Sequence, residues 1–182
     1  MKKNADKKEM IVARLADHLL AQGMKEASLR KMAASAGTSD RMLLHYFKDK
    51  EEMLSAALIL VENRLTAMLD SVRSEQMPFQ TLLTFLAVKV NDVNVRPYTR
   101  LALELAASAA GGDEYCQAIA QEIFASFYGW IESALKVERE EDRERLASLA
   151  FATIEGFILL DAVGSSSIVT KATEGLASIS SF

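Results

Sequence analysis

Cysteine is almost missing from this chain: Cys116 stands alone among 182 residues, so no internal disulfide can form. With only two histidines, His18 and His45, no Cys/His cluster exists to hold zinc, and no metal or other cofactor is expected. This cysteine usage fits a reducing compartment, and the cytoplasm is the expected location. Proline occurs twice, and no stretch is dominated by Ser, Gly or charge, which argues against general disorder. Repeats of 20 to 50 residues are missing, which leaves a solenoid without support. A long apolar run is missing too. Phe151 to Val163 is shorter than the roughly 20 residues a bilayer requires and carries Glu155 and Asp161, so no membrane partner is expected. The basic N-terminus has no apolar core followed by a small-residue cleavage site and does not read as a signal peptide. There is no Ser/His/Asp set, no Glu-x-x-His pair and no Gly-rich phosphate loop, so an enzyme is not expected.

What is present is a strong asymmetry of charge. Residues 1–50 hold eleven Lys or Arg against six Asp or Glu, a net +5, whereas the rest of the chain holds ten against nineteen, a net −9. Salt screens charges beyond about 8 to 10 Å, so the local surplus matters more to a charged partner than the overall pI near 5.3. The pattern is a basic N-terminal module on an acidic body.

Period-two alternation is absent and apolar residues recur at three and four almost throughout, which predicts an all-α fold. The first helix is expected from about Asp6 to Gln22, with Ile11, Leu15 and Leu19 on one stripe and Gly23 as its stop. Ser28 caps a second helix, Leu29 to Ala36, ended by Gly37. Ser39 caps a third, Asp40 to Tyr46, and Asp49 with Glu52 resembles a capping box that opens a long fourth helix reaching about Ser74. Further helices are expected at about 78–90, 97–109, 113–137 and 141–163, with Pro78 and Pro97 near first turns, and a short last one at about 167–180 that rests on Ile168, Ala172, Leu176 and Ile179.

Two short helices joined by Gly37-Thr38-Ser39 satisfy the geometry of a helix-turn-helix, whose second helix enters a DNA major groove. On the third helix Leu43 and Phe47, four apart, can lock into a core and leave Arg41, Met42, His45 and Tyr46 largely outward. The segment from about Met10 to Leu58 resembles the N-terminal domain of the TetR family of transcriptional regulators. The resemblance is carried by the stripe and Gly23 of the first helix, by Ser28-Leu29-Arg30-Lys31-Met32-Ala33, by Ala36-Gly37-Thr38-Ser39, and by His45-Tyr46-Phe47-Lys48-Asp49-Lys50-Glu51-Glu52-Met53-Leu54. Three positions depart from it: Arg41 where a small residue is usual, Leu44 where a tyrosine is common, and Tyr46 where a histidine is frequent. These departures touch the DNA-contacting surface rather than the fold.

Carried over residue by residue, the resemblance implies base contacts by Arg30, Asp40, Arg41, Met42 and His45. It implies phosphate contacts by Ser28, Thr38, Ser39, Tyr46, Lys48 and Lys50. The domain division that follows is a helix-turn-helix domain over residues 1–50, taking in the linking helix to about 60, and a helical effector-binding and dimerisation domain over residues 51–182.

A two-turn recognition helix offers few contacts, and a twofold dimer presents two copies about 34 Å apart, one turn of DNA. The body must then supply the interface. The helices around residues 113–137 and 141–163 are apolar on several sides, and the resemblance implies a four-helix dimer bundle; Phe127, Ile131, Ile154, Gly156, Phe157, Ile158, Asp161 and Gly164 are the candidates. Gly156 and Gly164, eight apart, are expected on one side of one helix. Candidates for an effector pocket are Met68, Phe85, Tyr98, Leu101, Glu104, Leu105, Phe124, Tyr128 and Trp130. Glu104, Glu155 and Asp161 interrupt apolar runs, and each needs a partner or a raised pKa if it is buried.

The expected function is a homodimeric, ligand-responsive DNA-binding regulator, most simply a repressor acting on a palindromic operator, with an unassigned small-molecule effector and the fourth helix as lever. Two rivals differ in class. One is a helical small-molecule-binding protein whose hairpin is only structural, and the other is a protein-interaction module with incidental DNA affinity.

Overall fold

The computed structural model describes residues 2–73 and 75–178. Within them run nine α-helices: α1 (Lys2–Gln22), α2 (Leu29–Ala36), α3 (Asp40–Tyr46), α4 (Lys50–Ser71), α5 (Phe79–Val90), α6 (Arg96–Ala110), α7 (Glu114–Ala134), α8 (Arg143–Ala162) and α9 (Ser166–Ser178). Two short 3-10 turns, Met24–Glu26 and Glu140–Asp142, follow α1 and precede α8. The all-α reading holds, with one small exception. Met77–Pro78 (β1) pairs in parallel with Leu135–Lys136 (β2), two residues a side, too short to leave any alternation in the sequence.

Some helix ends differ from expectation. α1 begins at Lys2 rather than near Asp6, because nothing in Lys-Lys-Asn-Ala-Asp breaks a helix. α4 is helical to Ser71; its expected end, Ser74, and Ile179 and Ser180 of the last helix lie outside the described residues. α7 stops at Ala134 rather than Val137, since Leu135 and Lys136 turn into the β1 pairing. The Arg143 guanidinium also donates to the carbonyls of Glu132 and Leu135, both at 2.7 Å, covering acceptors that an ending helix leaves open.

By contacts the chain divides into two compact units, and the division falls inside α4, α6 and α7. One unit holds Met1–Ala67 with Arg100–Ile123, the other Met68–Thr99 with Phe124–Phe182. In the first, α2 packs on α1 and α3 on α2. Its core includes Leu15, Leu19, Met32, Leu43, Phe47, Met53, Leu101 and Leu105, each at most 2% exposed. In the second, α5 packs on α8 and α9, and α8 on α9, around Leu82, Leu83, Ile131, Leu135, Ile154 and Phe157. Among the described residues no helix is long and apolar enough to cross a membrane.

Candidate nucleic-acid interface

The interface is built by three helices and two caps. Ser28 sits before α2 in extended backbone and its hydroxyl accepts from the Lys31 N–H at 3.4 Å. Ser39 does the same before α3, accepting from the Met42 N–H at 3.3 Å. Each serine satisfies an amide that a starting helix leaves open. Between them Gly37 turns the chain in the left-handed region, φ 66° and ψ 37°, and its N–H reaches back to the end of α2. A side chain here would be strained by the backbone alone, and its Cβ would stand 2.7 Å from Arg14 Nη1. That guanidinium, from α1, donates to the Ala36 carbonyl at 2.8 Å and so ties α1 to the turn.

Leu43 and Phe47 then fix α3, at 0% and 2% exposure, as the four-residue spacing predicts. After α3 the chain enters α4 through reciprocal caps. The Glu52 N–H donates to Asp49 Oδ1 at 2.8 Å, while Glu52 Oε2 accepts from the Lys48 N–H at 2.6 Å. The expected box is therefore present with its return bond one residue earlier. Glu52 Oε1 also meets Lys8 Nζ at 2.9 Å, and that ammonium lies 4.7 Å from the centre of the Phe47 ring. The Lys48 amide and then Lys8 hold the Glu52 carboxyl below its ordinary value.

The junction between α1 and α2 is tied as closely. Gly23 adopts φ 82°, and a Cβ there would come within 2.7 Å of both Glu104 carboxylate oxygens. Glu104, on α6, accepts from the Met24 N–H at 2.6 Å, and Arg100, one turn earlier, donates to the Leu20 carbonyl at 2.7 Å. Glu104 is thus committed to a backbone amide and to Arg100, 3.7 Å away. Arg14 and Lys8 were not singled out from the sequence. Each reaches a residue more than twenty positions away, and nothing local marks such a partner.

On the outer surface Arg30, Asp40, Arg41 and His45 are exposed and Met42 is half-buried. Of the phosphate candidates, Ser28, Ser39, Lys48 and Lys50 are exposed, whereas Thr38 and Tyr46 are half-buried. Tyr46 stands edge-on to His45, ring centroids 5.3 Å apart. Lys31, beside Arg30, is paired with Glu26. Leu44, which was not among the candidates, is 51% exposed. Among the described residues no group of three or more His, Cys, Asp or Glu is placed to hold a metal ion.

The pocket candidates are shared out between the two units. Leu101 and Leu105 lie in the core of the first, beside Glu104. Met68, Phe85, Tyr98, Phe124, Tyr128 and Trp130 belong to the second. There the Trp130 indole donates to Asp70 Oδ1 at 2.9 Å and stacks on Phe127, 5.7 Å between centroids. Phe124, Phe127 and Tyr128 all contact the Phe151 ring, and the Tyr128 hydroxyl donates to the Glu144 carbonyl at 3.2 Å.

The dimer candidates fare differently. Ile131, Ile154, Phe157 and Ile158 are 7% exposed or less, within the core of the second unit, so their side chains have little surface left for a partner. Asp161 accepts from Arg96 at 3.3 Å and from the Ser166 hydroxyl at 2.8 Å. Gly164 is not on the helix at all. It follows the end of α8 at φ 76°, a turn that only glycine adopts without strain. What α8 and its cap leave exposed includes Leu149, Ala152, Gly156, Leu159 and Val163, spaced as one stripe. On α7 the exposed residues include Ala125, Ser126 and Gly129. The sequence did not separate this stripe from the core-facing one because both are apolar.

A capped pair of short helices, anchored by two buried residues and holding Arg41 and His45 in solvent, defines a helix-turn-helix module in a predominantly helical chain. Residues 12–57 match the family described as "Bacterial regulatory proteins, tetR family", and the chain as a whole has the fold of structures assigned to TetR-family transcriptional regulators. A Rhodococcus sp. structure assigned to that family is similar over 94% of this chain and 98% of its own, with 20% identity and a TM-score of 0.75. A transcriptional regulator from Rhodococcus sp. Rha1 is 25% identical over 93% of this chain and 92% of its own, with a TM-score of 0.69. FadR from Bacillus subtilis, solved in complex with stearoyl-CoA, is 16% identical over 93% and 97%, with a TM-score of 0.55. No curated protein matches the chain significantly.

Proposed function

We propose that the chain is a ligand-responsive repressor that binds a palindromic operator as a homodimer. The observation that carries the DNA-binding reading is α3 itself: Leu43 and Phe47 are spent inward, while Arg41 and His45 stand in solvent where a major groove would meet them. In this reading Arg41 makes the bidentate contact to a guanine edge, and Arg30, Asp40, Met42 and His45 complete the base contacts. Ser28, Thr38, Ser39, Tyr46, Lys48 and Lys50 position the module on phosphates without selecting sequence.

The exposed stripe Leu149, Ala152, Gly156, Leu159 and Val163, with Ala125 and Gly129 of α7, supports dimerisation through α7 and α8. Three large apolar side chains half or more exposed along one helix and its cap favour a protein partner, and the small residues between them permit close approach. An effector then acts by preferring the released conformation. Weakening operator binding a hundredfold requires a preference of about 2.7 kcal/mol, an ordinary allosteric coupling. The stearoyl-CoA held by the Bacillus subtilis protein is an instance of effector-sized cargo in this fold, and supports the ligand-responsive part of the reading.

The test is selection of binding sites from random duplex DNA with the purified protein. A palindromic consensus with half-sites about one helical turn apart is expected. Retention of all sequences alike, collapsing with salt, would instead favour the interaction-module reading.

A further inference from the structure

The recognition helix carries one residue that a polar interface does not explain. We propose that Leu44 is a specificity-determining residue that reads a thymine through its C5-methyl group; the inference rests on the DNA-binding reading above. Leu44 is 51% exposed, whereas its neighbour Leu43 is fully buried. The other exposed residues of α3, Asp40, Arg41 and His45, are all polar. Single exposed leucines are ordinary on protein surfaces. This one lies on the helix whose outer face is the candidate interface, where burial against DNA would remove it from water.

Helix geometry gives it a place there. At about 100° per residue, Arg41 and His45 form a ridge about 40° wide, Leu44 flanks it about 60° from Arg41, and Met42 flanks the other side. Lys48 is exposed just past the end of α3. A leucine side chain has no hydrogen-bonding group, so it can neither bind a phosphate nor read a donor or acceptor. In the major groove the one apolar feature of a base edge is the thymine methyl. Leu44 therefore adds methyl recognition beside the guanine recognition of Arg41.

The experiment uses the full-length protein and the duplex recovered by selection from random DNA. Each thymine of a half-site is replaced in turn by uracil, which removes only the methyl, and dissociation constants are measured at fixed salt. One replacement is expected to weaken wild-type binding about fourfold, the value of one buried methyl. In Leu44→Ala that same replacement should have no effect, and in Leu44→Met, which keeps an apolar arm, the sensitivity should return. Indifference of the wild type to every replacement would overturn the proposal, as would a uracil effect that persists in Leu44→Ala. If selection enriches no sequence at all, the DNA-binding reading fails and this inference falls with it; an enriched site without uracil sensitivity removes only the role of Leu44.

Discussion

Two exposed faces of this protein, each on one helix, differ in chemistry. The outer face of α3 is polar, with one leucine on its flank; the outer stripe of α8 is leucine, valine, alanine and glycine, with no charge along it. The first lies within the net-basic first fifty residues and the second within the acidic remainder. Cationic and hydrogen-bonding groups in solvent gain by meeting a polyanion whose edges carry donors and acceptors, whereas an uncharged stripe gains only by leaving water. One face is thus suited to nucleic acid and the other to an apolar partner surface, which the dimer proposed above supplies. The two helices also differ beneath: α3 is held by two buried side chains and two caps, and α8 is buried along a full face by α5 and α9.

The largest expected effect removes the support of the first face. Phe47→Ala takes out a side chain 2% exposed beneath α3 and should cost about 3–5 kcal/mol, enough to abolish DNA binding; thermal melting and a mobility-shift titration check it together.

Glu155 bears on the second face. It lies on α8 beside the exposed stripe, and burial raises its carboxyl from 4.5 to about 7. The folded state therefore holds this proton more tightly than the unfolded chain does. Its stability is unpenalised below about pH 4.5, declines as pH rises to about 7, and is constant above, with a total loss of about 3 kcal/mol. Glu155→Gln should accordingly raise stability at pH 8 by up to that amount and flatten the decline, as read from chemical denaturation at pH 5, 6, 7 and 8. A decline of the same slope in the variant would assign it to other groups.

Leu159→Asp places a charge in the middle of the stripe and should shift self-association about a hundredfold toward monomer while leaving helix content unchanged. Sedimentation velocity across a concentration series decides it, and unaltered association would move the interface elsewhere. Arg41→Ala should cost about 1–3 kcal/mol on the selected site and little on random DNA, narrowing the ratio between them. Smallest is Lys50→Ala, expected to weaken binding to every duplex and to flatten the salt dependence by about one unit. Equal behaviour of these last two would undo the division between base and phosphate contacts.

Much of the first unit is legible in the sequence because its signals are local. A serine before a helix, a glycine after one, and Leu43 with Phe47 four apart each act within a turn or two, and α2 and α3 fall where those residues put them. The same reading named Leu44 only as a departure from the resemblance and assigned it no contact, because one helical turn does not reveal how wide its neighbours' cover is. In the body the signals are apolar on both sides of a helix. Ile154, Phe157 and Ile158 serve the core, while Leu149, Leu159 and Val163, equally apolar, stay in solvent. Periodicity places both sets along α8 and ranks neither. Gly164 shows the same limit at a helix end, where a glycine expected on a packing face is a left-handed stop.

By itself, then, the sequence determined the helical class, the helix-turn-helix and its caps, and the charge contrast between module and body, since each follows from composition or from interactions between residues a few positions apart. The tertiary structure alone decided which apolar face of α8 is spent within the subunit, that Glu104 and Arg100 hold the α1–α2 junction, that Arg14 holds the turn before α3, and that Leu44 stands in solvent. Those facts depend on which distant segments meet, and hydrophobic burial, being non-directional, does not encode its partner in any short stretch of chain.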